Sequence, residues 1–347
     1  MNRVAQSVSP FLQQLPKVEL HLHLEGAIPP ETLLGVFRRH GNTEMACLED
    51  VLRLYQHRDF YDFLAHFRTI LEWLRDADDL EPITYDVLSN LARQNVRYAE
   101  VIFSPGTLLH FHGLDPDRVL DAIQRGYARA RSEHAIEMAL LLDLTRNMGL
   151  EYGWRMARFA AGAQDRGVIG ITLGGNERDF PAAPYAEIYQ WARDQGLRVT
   201  AHAGEAAGPE SVWDCIRLLG VERIGHGVRM EDDPRLAEYV VEHGIAIECC
   251  PWSNVLTGAV ESLEAHPVRR WFERGVRLSI NSDDPTLFGT DITRELARLQ
   301  AAHGFSDGEI LHIMAQAVQM SFLPEGGKAR LRRLLAEFAV QNGFQTL

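Results

Sequence analysis

Apolar and β-branched residues recur along the chain in short runs, and each run ends at glycine, proline, asparagine or a polar cluster. Runs of this length with such boundaries are typical of β-strands. The strand candidates are Val18–Leu24, Val96–Phe103, Ile136–Leu144, Val168–Leu173, Leu197–Ala203, Arg223–Val228, Ile245–Cys250 and Val276–Ile280. The pattern therefore predicts eight strands, spaced widely along the chain.

Segments of helical length lie between these runs, with apolar residues at three- and four-residue steps. Tyr185–Asp194, for example, places Ile188 and Trp191 on one face, and Pro234–Glu242 repeats the pattern. Strands that alternate with helices predict parallel pairing, because each crossover returns the chain to the same edge. Eight such units predict an α/β fold of the (β/α)8 TIM barrel type. A doubly wound open sheet is the alternative.

The interval between the first and second strands is far longer than the others and spans about residues 30–95. It contains the helix-like segments Glu31–His40, Leu48–Leu54, Phe60–Leu74 and Asp79–Asn95. An insertion at this point emerges at the carboxyl-terminal face of a barrel, where active sites lie. We therefore expect one barrel domain over residues 1–347 with a helical lid, and a last helix over Lys328–Ala339 outside the barrel.

The third segment of the insertion carries an apolar stripe, which consists of Phe60, Phe63, Leu64 and Phe67. Such a stripe either packs against the barrel or forms the wall of a pocket for a flat, apolar substrate. The sequence leaves both interpretations open.

Composition narrows the class of protein. The chain has 347 residues, and 35 basic against 48 acidic side chains give a net charge of −13. Because a negative field repels phosphate groups, a nucleic-acid partner is disfavoured. No apolar stretch approaches the roughly 20 residues of a membrane span, and the first residues lack the pattern of a secretory signal. The four cysteines form no C-x-x-C pair, which indicates reduced thiols. We expect a cytoplasmic protein without a membrane partner.

Histidines give the first indication of chemistry. His21 and His23 lie two residues apart on the first predicted strand, so their side chains point to the same face. Inside a barrel, two neutral imidazoles without partners are costly to bury. A divalent metal removes that cost, because imidazole nitrogen is a good zinc ligand.

The ends of three other predicted strands carry further candidate ligands. The fifth strand ends with His202 and is followed by Glu205, the sixth contains His226, and the eighth precedes Asp283 and Asp284. In a barrel these ends meet at one mouth. Three histidines and an aspartate make a plausible zinc site with a place left for water. The remaining histidine and two carboxylates are then available for proton transfer.

The number of metals follows from the fourth strand. Two-metal barrel hydrolases usually need a bridging carboxylate there, often a modified lysine, and the segment Leu173-Gly-Gly-Asn-Glu177 has no lysine. We therefore expect one metal. A single zinc lowers the pKa of bound water to about 7, and a glutamate in a partly dry pocket can stay protonated. Such a site suits addition of water to a C=N carbon, followed by loss of ammonia.

These motifs resemble the adenosine deaminase family of metal-dependent hydrolases over nearly the whole chain. The segments that carry the resemblance are Leu15–Ala27, His202-Ala-Gly-Glu205, Arg223–Gly227, Cys250-Pro-Trp-Ser-Asn254 and Asn281-Ser-Asp-Asp-Pro285. The resemblance implies a (β/α)8 barrel and one Zn²⁺ per chain. It also implies a small-molecule purine nucleoside as the substrate.

The resemblance further implies roles for individual residues. The expected zinc ligands are His21, His23, His202 and Asp283. Glu205 would protonate the purine N1, His226 would act as base or electrostatic partner of the attacking water, and Asp284 would orient that water. Substrate contacts are expected from His23, Glu25, Gly175 and Asp284, with the Gly175 N–H meeting the purine N3.

Two positions depart from the family pattern. Nucleoside deaminases of the family usually have aspartate at the position of Glu25, where it meets the ribose 5′-hydroxyl, and aspartate at the position of Asn176. By contrast, Gly225 before His226 resembles the nucleoside branch, because the adenine branch usually has aspartate there. The purine pocket is therefore expected to be intact. The sequence does not determine which N9 substituent the neighbouring pocket accepts.

Several functions fit these observations. The first is deamination of adenosine or a closely related adenine nucleoside. The alternatives are a 5′-modified nucleoside such as aminodeoxyfutalosine, free adenine and, from another class, a catalytically silent barrel that binds a nucleoside. Silent relatives typically lose a ligand or the glutamate, and this chain lacks neither. His23-Leu-Glu25 mimics the H-x-E of nucleic-acid deaminases, but the P-C-x-x-C that accompanies it is absent.

Overall fold

Eight parallel strands form the centre of the protein in a computed structural model, which describes residues 8–56 and 60–345. They are β1 (Lys17–His23), β2 (Val96–Phe103), β3 (Glu137–Asp143), β4 (Val168–Thr172), β5 (Arg198–Ala203), β6 (Arg223–His226), β7 (Ala246–Cys249) and β8 (Arg277–Ile280). They pair in sequence order, each with the next. The prediction of a (β/α)8 TIM barrel is confirmed, and every predicted strand is present with ends within two residues.

The last strand meets the first just beyond its end, which completes the ring of strands. Leu22 and Asp283 form a β-bridge. The backbone N–H of His23 donates to the Asp283 carbonyl at 2.8 Å, and the Asp283 N–H donates to the His21 carbonyl at 3.2 Å. Closure therefore brings the segment after β8 directly against the two histidines of β1.

Helices surround the strands. They are α1 (Pro10–Gln14), α2 (Pro30–Arg39), α3 (Leu48–Arg53), α4 (Phe60–Trp73), α5 (Leu80–Arg93), α6 (Pro105–His112), α7 (Pro116–Glu133), α8 (Leu150–Gly162), α9 (Ala186–Asp194), α10 (Pro209–Asp214), α11 (Pro234–Glu242), α12 (Pro251–Leu256), α13 (Val268–Glu273), α14 (Ile292–His303), α15 (Asp307–Met320) and α16 (Glu325–Gln341). The predicted last helix is α16, which is longer than expected at both ends. None of the helices in the described residues is both long and apolar enough to cross a membrane.

The predicted insertion after β1 consists of α2, α3, α4 and α5, and its residues 57–59 lie outside the described residues. The apolar stripe of α4 packs against the barrel and also forms a wall at its mouth. The Phe63 ring lies 4.8 Å from the Phe288 ring, and the Phe67 ring stands edge-on to His23 at 6.4 Å. The side chain of Phe60 lies outside the described part. The insertion thus reaches over the mouth of the barrel.

A fully buried arginine occupies the interior of the barrel. The Arg223 guanidinium on β6 pairs with Glu248 on β7 at 2.5 Å and with Glu100 on β2. It also donates to the carbonyl of Met320 at 3.0 Å, and Glu100 accepts from the N–H of Phe322 at 2.6 Å. Arg223 is the cation that both carboxylates share, so its removal leaves two buried negative charges without it.

Replacement of Arg223 by methionine is expected to lower the free energy of unfolding by about 3–5 kcal/mol, because two buried carboxylates lose their cation. Urea unfolding followed by circular dichroism measures the change. Arg198→Met is the matched control, since Arg198 pairs with Glu222 at the surface, where an ion pair contributes about 1 kcal/mol or less. Equal losses in the two variants would contradict this account of the interior.

Candidate active site

Four side chains with metal-binding atoms meet at the carboxyl ends of the strands. His21 and His23 come from β1, His202 from β5, and Asp283 from the turn after β8. Their candidate ligand atoms lie within 4.8 Å of one another, and all four residues are buried or nearly so. Asp283 Oδ1 is 3.3 Å from His21 Nε2 and 3.4 Å from His23 Nε2. The structure therefore brings together the predicted ligand set.

The donors fit a divalent cation. His21 Nε2 is buried and has no hydrogen-bond partner in the described part of the chain. His23 Nε2 faces His202 Nε2 at 3.1 Å. Buried imidazole nitrogens and a carboxylate oxygen that face one another without a hydrogen between them repel and are costly to bury. A cation bound between them removes that cost. Three nitrogens and one oxygen are a usual set for Zn²⁺, so these residues could hold one zinc ion.

The backbone aims the aspartate. Asp283 has φ of +65°, a left-handed conformation that residues other than glycine seldom adopt. Such a conformation persists where the surroundings hold it, and here the bonds to β1 do so. The second carboxylate oxygen of Asp283 accepts from Ser253 Oγ at 2.6 Å. One oxygen is thus kept for the histidines.

A carboxylate fixes the orientation of His21. His21 Nδ1 lies 2.7 Å from Glu248 Oε2, and Glu248 is held in turn by Arg223. A histidine that donates Nδ1–H to a carboxylate presents Nε2 as a ligand. The buried ion pair of Arg223 and Glu248 is therefore connected through His21 to the candidate metal ligands.

Glu205 lies on the loop after β5, and that loop is bound by a second glutamate. The Glu177 carboxylate accepts from the backbone N–H groups of Gly204, Glu205, Ala206 and Ala207, at 2.5 to 3.1 Å. Burial and the charges of Asp283 and Glu177 raise the pKa of Glu205 to about 8. Glu205 is therefore a protonated acid at neutral pH.

Asp284 packs against a glycine that leaves room for it. A Cβ at Gly26 would lie 1.7 Å from Asp284 Oδ1, so no larger residue fits. Among the described residues, that oxygen has no hydrogen-bond partner. Burial and the neighbouring Asp283 carboxylate raise the pKa of Asp284 well above its usual value. In its ionised form such a carboxylate is a stronger base.

His226 ends β6 with φ of +67° and is almost fully buried. Its Nε2 lies 3.6 Å from Glu205 Oε2 and 4.0 Å from Asp283 Oδ2. Burial lowers the pKa of His226 to about 3. His226 is therefore a neutral imidazole that faces Glu205 and the candidate ligand Asp283.

One cavity of about 560 Å³ is lined by three candidate ligands and the three groups beside them, which are His23, His202, Asp283, Glu205, His226 and Asp284. Phe63 and Phe67 of the insertion form an apolar wall, and Gly175 contributes bare backbone. Gly175 has φ of +91°, and a Cβ there would lie 2.5 Å from Asn147 Oδ1. A flat ring can approach such a backbone closely.

Glu25 is placed differently from the other predicted contacts. It is missing from the described residues that line the cavity. It lies in a short helical turn over Glu25–Ala27, and its carboxylate accepts from the N–H of Ser104 at 2.8 Å. Ser104 and Asp143 line the cavity in this region. Burial raises the pKa of Glu25 to about 7.

The match to a known protein family includes all the site residues described above. Residues 16–338 match the adenosine deaminase family. The chain belongs to the adenosine deaminase family. Its members here include three kinds of deaminase. An aminodeoxyfutalosine deaminase from Streptomyces avermitilis is 35% identical over 92% of this chain and 90% of the relative. An adenosine deaminase from Klebsiella pneumoniae is 36% identical over 93% and 98%, and an adenine deaminase from Rhizobium leguminosarum is 38% identical over 92% and 99%.

Solved structures agree with this family. The adenine deaminase from Arthrobacter aurescens superposes with a TM-score of 0.89 and 27% identity, over 94% of this chain and 99% of that one. An amidohydrolase from Burkholderia ambifaria, with bound Zn, gives a TM-score of 0.88 and 27% identity, over 98% and 96%. This member of the adenosine deaminase family is therefore a hydrolytic deaminase.

Two residues of this deaminase's site were missed by sequence reasoning. Glu177 has no signal in the sequence, because its four backbone partners lie 27 to 30 residues away. Glu248 had one signal, an acidic residue within the apolar run Ile245–Cys250. A charge inside a predicted barrel strand indicates a buried partner, and that signal could have found it.

Glu248→Gln is expected to weaken zinc binding by about tenfold or more, because His21 loses the carboxylate that orients it. Competition with a chromophoric chelator measures the affinity. Glu100→Gln is the matched control, since Glu100 pairs with the same Arg223 but touches none of the candidate ligands. Loss of zinc affinity in both variants to the same extent would show that a general loosening of the barrel is responsible.

Proposed function

We propose that this deaminase removes the 6-amino group of adenosine or a closely related adenine nucleoside by hydrolysis. One observation carries the proposal. A protonated Glu205 and a second carboxyl group, Asp284, flank the four-residue metal cluster within a single cavity that has a flat apolar wall. An acid, a base and a nucleophile site at one place are what addition of water to C6 requires.

His21, His23, His202 and Asp283 would hold one Zn²⁺. When bound, the ion supplies an activated water at neutral pH. The purine would lie between the apolar wall and Gly175, whose backbone N–H would bind the ring at N3. This arrangement would put C6 toward the candidate metal ligands and the N9 substituent toward Ser104 and Asp143.

Proton transfer falls to the carboxyl groups of this chain. Asp284 takes a proton from the attacking water as the C6–O bond forms, and Glu205 gives its proton to N1. His226 faces the same point and steadies the water. The amino group then receives the proton held by Asp284, the C6–N6 bond breaks and ammonia leaves. The proton on the C6 hydroxyl then passes to Glu205, which restores its acid form and yields the 6-oxopurine.

The cavity favours a nucleoside over the free base. Beyond the metal cluster it continues to Arg68, His110 and Phe111, where a base alone would make no contact. Asp143 also lines the cavity, and its carboxylate accepts hydrogen bonds from the hydroxyl groups of Ser104 and Thr145. An acidic group at this position accepts ribose hydroxyls and repels a phosphate.

A second candidate is a nucleoside with an extended 5′ substituent. The outer part of the cavity, formed by Arg68, His110 and Phe111, gives room for such a group, and one of the relatives is an aminodeoxyfutalosine deaminase. With adenosine or 2′-deoxyadenosine as the substrate the enzyme would act in purine metabolism, whereas a 5′-extended nucleoside would place it in another pathway. We place it in the cytoplasm, because all four cysteines are free thiols.

Glu205→Gln is expected to lower kcat/KM for adenosine by about 10²- to 10⁴-fold, because the amide has no acidic proton to give. In the wild type kcat/KM should fall as pH rises through the Glu205 pKa, since the ionised form has lost that proton. Ammonia release measures both. Zinc content must be unchanged in the variant, and Glu210→Gln on exposed Glu210 is the control. Near wild-type turnover by zinc-loaded Glu205→Gln would reject the mechanism.

The substrate is decided by ammonia release from adenosine, 2′-deoxyadenosine, 5′-modified adenosines, aminodeoxyfutalosine, AMP and adenine in parallel. We expect the nucleosides to exceed both adenine and AMP by at least about tenfold in kcat/KM, which corresponds to roughly 1.4 kcal/mol. Fast turnover of adenosine would support the first candidate. Weak turnover of adenosine beside fast turnover of a 5′-extended nucleoside would support the second, and a preference for adenine would exclude both.

A further inference from the structure

Behind His226, on the side away from the cavity, lies a line of buried hydrogen bonds. Asn254 Nδ2 on α12 is 3.0 Å from His226 Nδ1, and Asn254 Oδ1 is 3.2 Å from His266 Nε2. His266 Nδ1 is 3.1 Å from the backbone nitrogen of Val268. The three side chains are at most 1% exposed, so no bulk water shares these bonds.

The line begins at the backbone N–H of Val268, which can only donate a hydrogen bond. Val268 is the first residue of α13, and a backbone N–H at a helix start needs an acceptor outside the helix. An N–H can only donate, so His266 Nδ1 accepts and carries no proton. A neutral imidazole keeps one proton, which then lies on Nε2. Burial, which lowers the pKa of His266 to about 3, agrees with the neutral form.

The proton on His266 Nε2 decides the next bond. A donor at this position requires the oxygen of the Asn254 amide, and Cys249 Sγ at 3.9 Å is a weaker neighbour of the same nitrogen. The Asn254 amide therefore turns its NH₂ group toward His226. Since that NH₂ group donates, His226 Nδ1 is an acceptor without a proton. The single proton of His226 lies on Nε2, the nitrogen that faces Glu205 and Asp283.

We propose that His266 and Asn254 are positioning residues that fix His226 as its Nε2–H tautomer. In this tautomer His226 donates a hydrogen bond to the oxygen of the attacking water and cannot take a proton from it at that nitrogen. Asp284 is then the base. This inference rests on the proposed function for the role of His226, whereas the tautomer itself follows from the hydrogen bonds alone.

The neighbourhood keeps the line rigid. The His266 ring stands edge-on to the Trp271 ring of α13 at 5.6 Å. Trp271 is fully buried and donates from its indole nitrogen to Glu231 at 2.8 Å. A flip of the His266 ring would put the carbon Cδ2 in place of Nδ1 and leave the Val268 N–H unpaired, which is costly for a buried donor.

Nitrogen NMR of the zinc-loaded wild type, labelled with ¹⁵N at histidine, reads the tautomer without reference to activity. The His226 signals are assigned by their loss in His226→Gln. We expect the chemical shift of a protonated nitrogen at Nε2 and of an unprotonated nitrogen at Nδ1. A proton at Nδ1, or on both nitrogens, would overturn the proposal.

Two variants test the origin of the tautomer. Asn254→Asp is isosteric, and its carboxylate can only accept, so it should move the His226 proton to Nδ1. We expect kcat to fall by about 10- to 100-fold, which is the loss usual when the residues that orient metal ligands are replaced. His266→Phe keeps a ring but frees the amide to turn, so the Nε2–H form should lose population, with a smaller loss of kcat. KM and zinc content should change little in either.

His243→Phe is the control for the ring exchange, because His243 is exposed and stacks on Tyr239 away from the cavity. If the His226 shifts in His266→Phe and Asn254→Asp equal those of the wild type, the line of bonds does not set the tautomer and the proposal fails. If the shifts move as expected but no adenine compound releases ammonia, the tautomer assignment stands and the proposed function is wrong. The two failures are therefore separable.

Discussion

The site depends on the contact that joins the last strand to the first. Backbone bonds between Asp283 and β1 run in both directions, so the aspartate and the two histidines of β1 share one rigid frame. The remaining ligand, His202, reaches the same point from the opposite side of the ring. A barrel that failed to close at β8 would keep its helices and strands but would separate the candidate ligands.

Electrostatics links this frame to stability. Arg223 neutralises Glu100 and Glu248 in the interior, and Glu248 also fixes the ring of His21. A buried cation therefore satisfies two carboxylates and, through one of them, orients a metal-binding nitrogen. Burial has the opposite use at the mouth, where it keeps a proton on Glu205. A buried charged carboxylate is costly. In the interior the charge of Arg223 offsets this cost, whereas at the mouth the cost keeps Glu205 protonated.

Sequence reasoning succeeded where the information is local. Each strand has its own run of apolar residues with a turn after it, and the candidate ligands follow those runs directly, so a barrel topology was enough to bring them together. It failed for residues whose meaning depends on partners. Glu177 binds a loop from another strand, and His266 acts through Asn254 on His226, and no spacing pattern marks such chains of contacts. Glu25 shows the converse, since its place in the motif is clear whereas its carboxylate is turned to Ser104.

The helical insertion separates two properties of the enzyme. The reacting groups come from strand ends, whereas the apolar wall comes from α4, which lies outside the repeating strand–helix units. Substitutions on α4 can therefore reshape the space for a substrate without replacing a reacting group. Three relatives that each share 35–38% of their residues with this chain are named for three different substrates, which such a division allows. For protein engineering, the insertion is a module in which selectivity can be varied while the catalytic frame is inherited unchanged.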